Sequence, residues 1–180
     1  LLPGFIDAHC HLLAAASSLQ ALRCGPAEIS NIRDLQVVIQ NHAVSTPQGK
    51  WIRGFGYDEL ALEERRHPTR WELDLAAPNH PVRIDHRSGH ATVLNSLGLQ
   101  TAQIHLDTPD TVDGVIERKE DSGEPTGLLL EMSAFLRQRL GQMRDEKDTK
   151  DGIIRLNRLL LSYGITSAHD AGANNDLARW

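Results

Sequence analysis

The chain has 180 residues, 40% hydrophobic and 24% charged, which is enough apolar content for a packed core. Nineteen Lys and Arg against 24 Asp and Glu leave a formal net charge of -5, without the basic footprint of a nucleic-acid or anionic-membrane binder. Aromatic residues are only 4%, which disfavours base-stacking platforms. No apolar run approaches the roughly 20 residues of a membrane-spanning helix.

Pro3-Gly4 is a turn into a short strand-like run over residues 5–12. The first residues carry neither a basic leader nor a methionine, and residues 174–180 read as a helix just beginning. Both ends therefore read as cut edges of something longer. Cys10 and Cys24 are too few for a disulfide scaffold or a four-thiolate zinc site, and read as reduced thiols of a cytoplasmic protein.

Ile32, Leu35, Val38 and Ile39 recur at helical spacing up to about Ala43, with Ser30 placed as the N-cap. A turn at Thr46-Pro47-Gln48-Gly49 precedes a strand over residues 51–56. Thr69 caps a helix through Trp71, Leu73 and Leu75 that stops at Pro78. Residues 81–86 read as a buried strand and residues 91–99 as a helix. Residues 112–131 read as a β-hairpin around Asp121-Ser122-Gly123-Glu124-Pro125, an excursion and not a core element. A helix is expected over residues 132–143, and residues 150–163 form the clearest amphipathic helix, ended by Gly164. Residues 165–172 are a last strand entering a Gly-rich loop. Strands separated by helices spell a parallel α/β sheet.

Histidine is over-represented, with nine residues. His9 and His11 stand two apart on the first strand, so alternation puts both imidazoles, with Asp7, on one face and turns Cys10 away. Two neutral imidazoles on one face suit adjacent coordination of a divalent ion. The C-terminal end of a strand is where parallel α/β folds place their chemistry.

The wider run Pro3-Gly4-Phe5-Ile6-Asp7-Ala8-His9-Cys10-His11 resembles the first-strand motif of the amidohydrolase superfamily, which opens a metal-binding TIM barrel. Later segments resemble its amidohydrolase 3 group, the formamide deformylase-like and YtcJ-like branch. They are Gly49-Lys50-Trp51-Ile52-Arg53-Gly54, His67-Pro68-Thr69-Arg70, Glu72-Leu73-Asp74 and Ala77-Pro78-Asn79-His80-Pro81-Val82. Ser88-Gly89-His90-Ala91, Asn95-Ser96, residues 123–131 and Gly164-Ile165-Thr166-Ser167 follow in the expected order. The resemblance implies a partial TIM barrel over residues 1–180. That single domain would hold the first three β/α units, with an inserted β-hairpin and helices, and would be truncated at both ends.

The same resemblance implies that His9 and His11 hold a divalent metal, zinc first, in a mono- or binuclear site. The remaining ligands of the family, and its catalytic aspartate, lie on later barrel strands, beyond the third strand where this sequence stops. It further implies hydrolysis of non-peptide carbon–nitrogen bonds in a small amide or formamide substrate. By analogy His90 and Asn95 orient that substrate; the alternative is that they cap a loop and a helix start. His86 is a rival for that role. His169 and Asp170 end the last strand, on the side where barrel residues face an active site. Glu131 is either a buried carboxylate or a helix N-terminal charge. An open barrel edge would favour self-association. The rival to the enzyme is a catalytically inactive, truncated module that only binds metal or self-associates. A nucleotide-binding domain lacks its fingerprint, because Gly54-Phe55-Gly56 has no third glycine and no Lys-Ser/Thr.

Overall fold

A computed structural model describes residues 2–141 and 146–172, so the helix expected over residues 174–180 lies outside the described residues. In chain order the first elements are β1 (Phe5–Cys10), α1 (Leu12–Ser18), β2 (Leu22–Arg23), α2 (Ile32–Ser45) and β3 (Ile52–Tyr57). Next come α3 (Arg70–Ala76), β4 (Val82–His86), β5 (Ala91–Leu94) and α4 (Ser96–Thr101). The chain continues through β6 (Val115–Arg118), β7 (Pro125–Leu130), α5 (Ser133–Leu140), α6 (Glu146–Ser162) and β8 (Ile165–Asp170). It divides into two compact units, Leu1–Gln20 with Arg144–Trp180, and Ala21–Met143.

In the first unit β1 and β8 form a two-stranded parallel sheet, with Phe5 opposite Ile165 and Cys10 opposite Asp170. Parallel strands need a crossover, and here the connection leaves β1 through α1 and enters β8 through α6. Ala16 of α1 and Leu156 of α6 are buried. Gly164 takes φ 74° and ends α6, as expected of a C-terminal glycine.

The second unit is built on a six-stranded sheet of order β2-β3-β4-β5-β7-β6. β2, β3 and β4 run parallel, whereas β5, β7 and β6 pair antiparallel. Its core holds Leu35, Ile39, Ile52, Tyr57, Leu73, Val82, Ile84 and Val93 at 0% exposure. A second cluster joins Leu94, Leu99, Ile116, Leu129, Met132 and Leu136.

The expected run of three parallel strands in one sheet is therefore corrected. The strands at residues 51–56 and 81–86 belong to the mixed sheet as β3 and β4, and the last strand pairs with β1 alone. What stands is an α/β fold with mixed sheets. Residues 91–94 are strand and not helix, because all four side chains are buried between β4 and β7; the helix starts only after Asn95. The hairpin of β6 and β7 forms, yet β7 pairs with β5 inside the sheet, so it is a core element. The N-cap of α2 is Asn31, whose side chain accepts from the Asp34 N–H at 2.8 Å, one residue later than expected.

Candidate functional site

β1 brings His9 to the C-terminal end of the parallel pair, but the strand stops at Cys10. His11 stands just outside it, as the residue before α1, where its carbonyl accepts the first helical hydrogen bond from Ala15 N–H at 2.8 Å. A register shift between Asp7 and Cys10 breaks strict alternation. The two rings nevertheless meet edge-on, with centroids 5.4 Å apart and planes at 86°. Two imidazoles bound tetrahedrally to one zinc, with Zn–N of about 2.0–2.1 Å, have ring centres about 5 Å apart. The 5.4 Å between the two rings is close to that spacing.

Asp7 turns its Oδ1 back to accept the His9 backbone N–H at 3.1 Å. Cys10 Sγ donates to the His169 carbonyl at 3.3 Å. Burial, together with the negative charges of Asp7 and Asp170, pushes the Cys10 thiol up, which keeps it protonated and weak as a nucleophile. His169 and Asp170 end β8, so the parallel register carries them to the same end of the sheet as His9. Asp170 Oδ1 accepts the Gly172 N–H at 2.8 Å and so shapes the loop that follows.

In the second unit a polar group gathers where β3 and β4 end. Gly56, at φ 100°, sits in a register shift that brings Tyr57 opposite His86, and the chain then places Asp58 and Glu59 across the end of β4. Such irregularities re-aim side chains. His86 Nε2 lies 2.7 Å from Glu59 Oε2, and Arg87 Nη1 donates to Asp58 Oδ2 at 2.9 Å. Tyr57 and His67 pack edge-on against the His86 ring, with centroids at 5.1 and 6.0 Å, and the Tyr57 hydroxyl bonds His67 Nδ1 at 2.8 Å. Burial holds the His67 imidazole below its ordinary value and the Tyr57 phenol above it. Burial also pushes the Asp58 carboxyl up, but Arg87 and the Leu60 N–H outweigh it and hold Asp58 ionised.

Of the remaining expected residues, His90 is exposed and pairs with Glu131 at 2.9 Å. Glu131 is exposed as well and takes φ 53°, with its N–H donating to the His90 carbonyl at 2.8 Å, so it is no buried carboxylate. Asn95 is 0% exposed. Its Oδ1 accepts from Gly98 N–H and Val82 N–H, both at 2.8 Å, and its Nδ2 donates to the His80 carbonyl at 2.9 Å. The capping alternative describes Asn95 completely, because every polar atom of its side chain is committed to the fold. Asp58, Glu59 and His67 went unassigned in the sequence. The one signal for them was acidic residues directly after a strand containing two glycines.

Among the described residues no helix is long and apolar enough to cross a membrane. The amidohydrolase family model matches residues 1–179. An N-substituted formamide deformylase of Arthrobacter pascens is 40% identical over 136 residues, covering 76% of this chain and 25% of that protein. YtcJ of Bacillus subtilis is 32% identical over 136 residues, with the same coverage of 76% and 25%. A metal-dependent hydrolase of Pyrococcus horikoshii, itself uncharacterized, superposes with a TM-score of 0.62 at 27% identity, over 92% of this chain and 30% of its own. The chain thus spans about a quarter of the length of these curated relatives.

Proposed function

Because the chain belongs to the amidohydrolase family, we propose that it is a metal-binding segment of a hydrolase acting on non-peptide carbon–nitrogen bonds, of the amide or N-substituted formamide type. The observation that carries this reading is the His9–His11 pair, two imidazoles at ligand spacing at the end of a parallel strand. The formamide class rests on the deformylase relative. A divalent ion, zinc first, would lower the pKa of a bound water towards ~7 and polarise the substrate carbonyl. This chain's own part is to hold two neutral ring nitrogens on that ion. His169 and Asp170 would line the same rim, and His90, paired to Glu131, would offer a polar group to a small amide.

A second reading is favoured for the isolated chain. Among the described residues, His9 and His11 belong to no three-donor group. Two exposed ligands do not make a closed site, so the chain alone would be inactive and could self-associate through the open edges of β1 and β8. The two free thiols fit a cytoplasmic setting.

The test is to express the whole reading frame that contains these residues and assay amine release from N-substituted formamides. The double variant H9N/H11N should lower kcat at least about 100-fold, with circular dichroism unchanged. Full activity and full metal content in that variant would overturn the assignment.

A further inference from the structure

The polar group at the ends of β3 and β4 has donor atoms that no hydrogen bond accounts for. Asp58, Glu59 and His86 each present a ligand atom, and the three atoms lie within 4.8 Å of one another. Glu59 Oε2 and His86 Nε2 are shut off from solvent and face each other at 2.7 Å, yet they lack the alignment of a hydrogen bond. A carboxylate oxygen held dry beside a ring nitrogen without such a bond is costly, and a shared cation relieves it. Donors on one tetrahedral ion, at about 2.0–2.2 Å each, stand about 3.3–3.5 Å apart. Opening this pair by less than about 1 Å admits the ion, a movement within reach of the Glu59 side chain.

The surroundings are those of a ligand set. Metal-bound histidines give their other N–H to a fixed acceptor. Ser88 serves His86 Nδ1 in either tautomer: its hydroxyl lies 2.8 Å away to accept from Nδ1–H, and its backbone N–H lies 3.1 Å away to donate to a bare Nδ1. Arg87 and the Leu60 N–H orient the Asp58 carboxylate, at 2.9 and 3.1 Å. The Tyr57 and His67 rings wall the His86 imidazole. One imidazole with two carboxylates suits a first-row divalent ion; the hard ions Ca2+ and Mg2+ prefer all-oxygen shells.

We infer that Asp58, Glu59 and His86 bind one divalent transition ion of the zinc or manganese class, at a site carried wholly by the second unit. The site is independent of His9 and His11 and would tie the end of β3 to that of β4.

The experiment uses the 180-residue chain with Zn2+ alone, in an H9N/H11N background so that the two metal assignments fail separately. Calorimetry and metal content after dialysis should give about one equivalent of zinc in that background. Adding H86A, or the near-isosteric E59Q, should weaken binding at least about tenfold. E59Q covers the case in which H86A does not fold, with tryptophan fluorescence as the check on both. No zinc bound in the H9N/H11N chain would overturn the site. So would zinc binding that E59Q and H86A leave unchanged.

Discussion

Asn95→Ala separates a structural asparagine from a substrate-binding one. The side chain is fully buried and makes three hydrogen bonds, to Gly98 N–H, Val82 N–H and the His80 carbonyl. Loss of the cap costs about 1 kcal/mol. Two further groups, Val82 N–H and the His80 carbonyl, lose a partner inside the fold, at about 1–3 kcal/mol each. The sum is roughly 3–7 kcal/mol against a native stability of about 5–15 kcal/mol, so the second unit becomes marginal. With a urea m-value of about 2 kcal/mol per M, the midpoint falls by about 1.5–3.5 M. Trp51 and Trp71 belong to the second unit and report its unfolding by fluorescence. Asn95→Asp keeps the Oδ1 acceptor but sets a second oxygen against the His80 carbonyl, so it too should lower the midpoint. A midpoint shift of N95A below about 0.5 M would refute the capping account and return Asn95 to the substrate.

Two other outcomes follow from the same geometry. Gly127, at φ 104°, has room for no Cβ: an added one would stand 2.4 Å from the Leu94 carbonyl oxygen and 2.9 Å from Arg70 Cβ. Strain and overpacking together should make G127A roughly 2–5 kcal/mol less stable in denaturant, and a loss under about 1 kcal/mol would contradict the close approach. Burial pushes the Glu72 carboxyl up, but the paired contacts from Arg66 at 2.6 and 3.0 Å and the Thr69 N–H at 2.7 Å prevail and hold it below its ordinary 4.5. Its contribution is thus complete above pH 4.5 and is lost as pH falls through the lowered folded value. Acid titrations of stability should be shallower below pH 4.5 in E72Q than in wild type, and identical slopes would count against the pairing.

The legible parts of the fold were those with a local signature. Thr69 and Pro78 bracket α3, Gly164 ends α6, and the turn around Gly123 separates β6 from β7. Residues 91–99 misled because Ala91-Thr92-Val93-Leu94 is buried on both faces and shows no alternation, which leaves strand and helix equivalent by pattern. Asn95 marked the true boundary as a cap. Pairing was illegible for a different reason: β1 finds its partner β8 across the whole second unit, and no local pattern records that choice. The sites divide the same way. His9 and His11 are neighbours in sequence, whereas Asp58, Glu59 and His86 meet only through the parallel register of β3 and β4 and the irregularity at Gly56.

The two candidate sites also rest on strands that differ in how well they are packed. A parallel sheet is ordinarily covered on both faces. Yet Phe5 and Ile6 of β1 are 69% and 65% exposed, each forgoing roughly 1–2 kcal/mol of burial. In the second unit, β5 and most of β7 are buried at every position, and the strands that present Tyr57 and His86 rest on side chains at 0% exposure. Ligand groups hold an ion tightly when the elements beneath them are rigid. The strand end that carries His86, held by Ser88 and packed against Tyr57, meets that condition within its own unit. In the proposed reading the His9–His11 pair rests on a strand whose Phe5 and Ile6 are exposed, and burying those side chains would stiffen it.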